Sequence, residues 1–223
     1  MACILNLETS TTNCSVALSL NGELLFLKED NSTQYSHAER LHIYIDAVLK
    51  EAQIERSQID AVAVSKGPGS YTGLRIGVSA AKGLCFGLDI PLIALPTLEV
   101  LANKIQTEAG CIVATLDARR MEVYSAVFDT NHQCIDPTTA KILNAESYAD
   151  LLEKHTVFFV GNAAAKTQDL IDHPNAHFDD QLPSSKEMCA LSYQKYKAED
   201  FEDLAYFEPF YLKDFIAFPS KKN

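Results

Sequence analysis

Apolar and polar positions along the chain follow two different periods. Short apolar or alternating runs cover residues 4–7, 15–20 and 23–28, and Asn21-Gly22 between the last two is a hairpin signal, so the chain is expected to open with a three-stranded meander. After the polar stretch 29–35 a helical period runs over 36–52, with Leu41, Tyr44, Ile45, Val48, Leu49 and Ala52 on one broad face. Ser36 followed by Glu39 predicts a capping box at its start. The run 59–65 predicts a buried strand that ends in the glycine loop "SKGPGSYTGLRIG", residues 65–77; a second helix is expected over 72–87 and a strand over 91–95.

The same succession then begins again. Strands are expected over 111–116 and 121–128, with a turn at "DTNHQ" and a third, weaker strand near Ile142 and Leu143. A helix near 146–154, a strand over 156–161 ending at Gly161-Asn162, and a helix over 185–197 capped by Ser184 and Glu187 complete the pattern. "ILNLETSTTNCSVALSLNG" is echoed in "VATLDARRMEVYSAVFDTN", and Glu8 and Asp117 each close a first strand. Two copies of one α/β unit with a cleft between them are therefore expected, over residues 1–105 and 106–223. The acidic, aromatic segment 199–218 reads as a tail docked by its apolar face.

Composition narrows the function. A chain of 223 residues, 47% hydrophobic and 22% charged, is ordinary globular material. Its net charge of -11 argues against a broad nucleic-acid or anionic-membrane surface, so any business with RNA would need a basic partner. The six cysteines form no C-x-x-C pair and most sit in apolar runs, which reads as reduced core residues in a cytoplasmic protein. No signal peptide is read at the N-terminus, and Asp89, Pro91, Pro96 and Glu99 interrupt the apolar stretch 84–102, so no membrane association is expected.

The glycine loop invites three chemical readings, and spacing weakens each. A phosphate-binding loop needs Gly-Lys-Ser/Thr five residues after its first glycine, and Thr72 stands there with no lysine following. Gly67, Gly69 and Gly73 are one residue too long for a dinucleotide fingerprint, and Asp89 precedes its strand where the ribose-binding acid should follow one. A nucleophile elbow would need glycines where Pro68 and Thr72 flank Ser70, which leaves Ser70 as a turn residue or N-cap. Histidines fare no better as metal ligands. His37 and His42 lie about 140° apart around a helix, and His173 and His177, with Asp179 and Asp180 behind them, read as a solvated loop because of Pro174 and Asn175. What remains is the helix itself. Gly73, Gly77, Ala80, Leu84 and Gly87 fall on one face and Leu74, Val78, Ala81 and Cys85 on another. One face would cover the sheet; the small-residue face would either be buried within the domain or receive a second helix closely, so that Gly77→Leu would abolish association without unfolding the chain.

These segments, with "LNLETSTTNCSVAL", "SHAERLHIYIDAVL", "IPLIALPTLEVLA" and "EPFYLK", resemble the TsaB (YeaZ) family of bacterial threonylcarbamoyladenosine biosynthesis proteins over essentially the whole chain. The resemblance implies an actin-like ATPase (ribonuclease H-like) fold of two repeated βββαβα-type domains. It implies a non-catalytic but required partner of the paralogue TsaD, forming threonylcarbamoyladenosine beside the anticodon of tRNAs that read codons beginning with A. The small ATPase TsaE would join that complex, tRNA would be met only through it, and a homodimer is expected in isolation. The implied partner interface is Leu41, Tyr44, Ile45, Val48, Gly73, Gly77, Ala80, Ala81 and Leu84. In the catalytic paralogue a His-Leu-Glu-Gly-His segment binds metal; here Thr97 and Leu101 stand in place of both histidines, so no metal is expected. Glu8 and Ser10 with Asp117 and Gly161 would be a degenerate nucleotide site, since neither half supplies a glycine beside its acid. No cofactor is expected on the isolated chain, with nucleotide reserved for the assembled complex. The alternative is a metal- or nucleotide-dependent hydrolase working in the interdomain cleft.

Overall fold

The computed structural model describes residues 1–31 and 37–213. The opening meander is β1 (Cys3–Glu8), β2 (Asn13–Leu20) and β3 (Glu23–Asn31), followed by α1 (His37–Ala52), β4 (Ala61–Gly67), α2 (Tyr71–Leu88) and β5 (Leu92–Pro96). A short helix, α3 (Thr97–Ala102), leads into β6 (Cys111–Asp117), β7 (Glu122–Phe128), β8 (Cys134–Ile142), α4 (Ala149–Leu152), β9 (Val157–Val160), α5 (Ala164–Gln168), β10 (Ala176–Asp179) and α6 (Ser185–Lys197). The first sheet has strand order β3-β2-β1-β4-β5 and the second β8-β7-β6-β9-β10, the same order in both halves. In each, the first strand runs antiparallel to the second and parallel to the fourth. The duplication read from the pattern is thus a duplication of topology.

Asn21 and Gly22 both take positive φ, 51° and 88°, as the tight hairpin between β2 and β3 requires. The two repeats also share a glycine where their fourth strand ends, Gly67 as the last residue of β4 at φ 117° and Gly161 just after β9 at φ 125°. Both conformations favour glycine, and a side chain at Gly161 would drive into the Thr115 carbonyl.

The central strands are buried on both faces, so their residues divide by parity. On β1, β4 and β5, Leu5, Leu7, Val62, Val64, Leu92 and Ala94 meet Leu41, Ile45 and Val48 of α1 and Val78, Ala81 and Cys85 of α2. Their neighbours Ile4, Ala61, Ala63, Ile93 and Leu95 face Val100 of α3 and Met188 of α6. On the second sheet Ile112, Ala114, Leu116 and Val160 meet Leu98, Leu101 and Ala102 of α3. The helix α3 is therefore wedged between the two sheets, and a six-residue segment is too short to have shown that in its periodicity.

Several expectations are corrected here. The expected boundary at residue 105 is not a clean division, because α6 returns to the first sheet. Its N-terminus is tied there by the Ser185 amide donating to Ser15 Oγ at 2.8 Å and by Ser184 Oγ donating to Glu29 at 2.8 Å. Ser184 does cap α6, accepting from the Lys186 amide, whereas Glu187 turns to Lys104 at 3.1 Å. The third strand of the second half begins at Cys134, well before Ile142, and Leu143 lies outside it. The stretch around His177 is strand β10, paired parallel to β9, with the His177 ring stacked on Phe158 at 5.2 Å. Four residues beside a Pro-Asn turn carry no strand period of their own; pairing with β9 defines them. His37 is buried, its Nε2 2.7 Å from the Thr11 carbonyl oxygen. Five cysteines are buried as expected and Cys134 is exposed. The capping box expected at Ser36 lies outside the described residues.

Candidate functional site: a closed loop and an open groove

Where ligand chemistry would start in a fold of this kind, at the end of β1, the chain closes on itself. Ser70 caps α2, its hydroxyl accepting from the Gly73 amide at 3.3 Å, so the glycine loop delivers the first turns of α2 against residues 9–11. Thr9 Oγ1 donates to the Gly73 carbonyl at 2.8 Å, and the Ser70 amide donates to the Ser10 carbonyl at 2.6 Å. A Cβ on Gly69 would lie 2.5 Å from the Ser10 carbonyl oxygen; on Gly73 and Gly77 it would drive into the Thr9 carbonyl and the Thr9 hydroxyl. These glycines therefore admit the chain's own backbone, not a phosphate or a foreign helix.

Glu8 is fully buried beneath this loop. Its carboxylate accepts from the Ser10 amide at 2.6 Å and from Ser65 Oγ. Burial pushes its carboxyl pKa up, against the opposing pull of the hydrogen bonds from Ser10, Ser65 and the Thr9 amide. The equivalent Asp117 is exposed and bound to Lys166 Nζ at 2.5 Å, and that ammonium also donates to the carbonyls of Arg120 and Glu122. The topology repeats at these two acids, while their environments do not. Glu8 is bonded to Ser10 and Ser65, and Asp117 to Asn162, Arg119 and Lys166, so among the described residues the two acids belong to separate polar clusters.

Thr97 and Leu101 are both fully buried in α3, and Leu101 packs in the core of the second sheet. A hydroxyl and an isobutyl group in that position do not fit a metal ion. Among the described residues no group of three or more His, Cys, Asp or Glu side chains is placed to hold one.

The open feature lies on the outside of α1 and α2. A groove of about 770 Å³ runs between them, with Ile45, Ile76, Ala80 and Leu84 among its apolar residues and His42, Asp46, Arg56, Tyr71, Arg75 and Ser79 among the polar ones. This corrects the expected interface. Leu41, Ile45, Val48, Gly73, Gly77 and Ala81 are buried inside the chain, covering the first sheet or the Thr9 loop, because the face read as surplus is the helices' own core face; of these Ile45 also reaches the groove wall. Tyr44, Ala80 and Leu84 are half-buried against the same core, and Ala80 and Leu84 also line the groove. Of the small residues that do face outward, sequence reasoning put Gly87 on the small-residue face but left it out of the interface, and missed Gly83. Gly83 and Gly87 are exposed and a Cβ on either would meet nothing within 4 Å. Phe86 between them is 83% exposed. A glycine in a helix interior costs about 1 kcal/mol relative to alanine, and that is the signal that could have singled them out.

Comparison with known proteins fits this architecture. A family model described as TsaD: tRNA N6-adenosine threonylcarbamoyltransferase matches residues 31–218. The tRNA threonylcarbamoyladenosine biosynthesis protein TsaB of Haemophilus influenzae is 31% identical over 95% of this chain and 93% of its own length. The chain belongs to the TsaB (YeaZ) family. The Escherichia coli TsaB is 28% identical, with 96% of each chain covered. Among solved structures, YeaZ from Pseudomonas aeruginosa superposes with a TM-score of 0.82 at 29% identity, covering 95% of this chain and all of that one.

Proposed function

We propose that this chain is a non-catalytic, required subunit in the formation of threonylcarbamoyladenosine on tRNA, acting as partner to a TsaD-type transferase and, through that pair, to the small ATPase TsaE. The names of its relatives place the family in this modification. The observation that carries the finer reading is the two-sided use of α2: its inner glycines seal the loop after β1, and its outer side with α1 forms an apolar groove. Sealing leaves no room at Glu8 for a phosphate, and an apolar helix-lined groove is what a partner helix needs. The chain's acidity supports a role in which tRNA is held by other subunits, because phosphate contacts need basic surface. In isolation the groove is expected to pair with a second copy.

Reconstitution tests this reading. With transferase, TsaE, tRNA and the threonylcarbamoyl donor supplied, modification is expected only when this chain is added, and the chain alone is expected to modify nothing. Modification by the chain alone, or undiminished modification without it, would overturn the proposal. Calorimetric titration of the isolated chain with ATP is expected to give no binding at micromolar concentrations.

A further inference from the structure

The segment after α6 crosses the molecule on the groove's side. The Glu202 amide donates to the Leu92 carbonyl at 2.9 Å beside β5. Lys82 of α2 then donates to the carbonyls of Phe207 at 2.9 Å and Ala205 at 3.4 Å. The Phe210 amide donates to the Lys66 carbonyl at 2.6 Å, and a Cβ on Gly67 would lie 2.5 Å from the Phe210 carbonyl oxygen, so the end of β4 is shaped for this crossing. The Tyr211 ring packs on Tyr71 with centroids 4.9 Å apart, and Lys213 pairs with Glu122 at the start of β7. This strap and α2 enclose a second cavity of about 410 Å³, which shares Tyr71, Arg75 and Ser79 with the α1–α2 groove. Arg75 stands at the junction, its guanidinium 5.4 Å over the Tyr71 ring and donating to Tyr71 Oη at 3.2 Å. Among the described residues no carboxylate forms an ion pair with it.

We propose that residues 207–211 are the far wall of the partner site, and that the partner lays an apolar helix in the α1–α2 groove and continues past Arg75, to which it presents a carboxylate, into the strap cavity. This rests on the partner role proposed above. That the two cavities share Tyr71, Arg75 and Ser79 in their walls argues for one occupant across both. Arg75, with no ion pair among the described residues, argues for a carboxylate there, and the net charge of -11 on each copy makes pairing with a second copy the weaker alternative to the transferase.

The test titrates full-length variants against the transferase subunit, with melting temperature followed alongside. Tyr211→Ala removes a half-exposed ring from the wall; Lys82→Met releases the strap's carbonyls without touching the groove; Ala80→Glu charges the groove floor. Tyr211→Ala and Lys82→Met are each expected to weaken binding at least tenfold with the fold intact, and Ala80→Glu to abolish it. Wild-type affinity in both strap variants, with binding lost in Ala80→Glu, would overturn the strap's role and leave the partner reading standing. Wild-type affinity in all three would overturn both. Strap variants that dissolve only self-association, with transferase affinity unchanged, would assign the wall to a second copy and overturn the proposal. If Tyr211→Ala does not fold, Lys82→Met decides.

Discussion

Thr9 and Gly73 are joined by a 2.8 Å hydrogen bond from the threonine hydroxyl to the glycine carbonyl, at a point where any Cβ on Gly73 would drive into the Thr9 carbonyl. One residue of the loop after β1 thus needs both the polar backbone of α2 and the absence of a side chain on it. The family's glycine-rich motif is used here for closure between two parts of one chain.

Gly73→Ala and Gly77→Ala are therefore expected to destabilise the fold. Overpacking of this kind costs about 1–3 kcal/mol, and the Gly73 change should be the worse of the two because it meets backbone, whereas Gly77 meets a side-chain hydroxyl. Thermal melts check this. Gly77→Leu should fail to fold instead of yielding the folded, unassociated chain expected from helical spacing alone.

Gly83→Ala and Gly87→Ala are expected to do the reverse. Nothing lies within 4 Å of either added methyl group, so helix propensity decides, at about 0.5–1 kcal/mol gained per change. Denaturant midpoints of the single and double variants should rise, and transferase binding should fall for Gly83→Ala, because Gly83 lines the groove.

Glu8 gives a pH signature. Its folded-state pKa is raised by burial, so the stability it contributes is present below the ordinary carboxylate range and is lost as pH rises through the raised value. Glu8→Gln keeps the acceptor oxygen and removes the charge. The variant's melting temperature should gain on that of the unmodified chain as pH goes from 4 to 8. A constant difference across that range would contradict the burial cause.

Placing histidine at both Thr97 and Leu101 is expected to confer no zinc binding in equilibrium dialysis and to lower the melting temperature. Leu101 sits in the core of the second sheet, and losing a buried leucine side chain costs about 2–5 kcal/mol.

How much of this was legible in the sequence depended on whether a signal was local. The hairpin at Asn21-Gly22, the cap at Ser70 and the repeated succession of elements are local, and the structure carries all three. The wedge helix α3 and strand β10 are short and take their form from what they pack or pair with, so no period announced them. The return of α6 to the first sheet rests on hydrogen bonds between residues more than 150 positions apart, such as Ser185 to Ser15. For the site, helical spacing groups Gly73 and Gly77 with small neighbours on one face, yet spacing carries no record of which face meets the loop after β1. The outward glycines, Gly83 and Gly87, lie six and ten residues beyond Gly77, outside the glycine loop.

The central claim is that α2 serves closure with its inner face and docking with its outer one. Its most direct measurement is the affinity of the transferase subunit for Gly83→Arg, a change that adds bulk and charge to the groove at a position with open space around it. The account predicts an unchanged or higher melting temperature with binding and tRNA modification both reduced at least a hundredfold. Wild-type binding by that variant would contradict it.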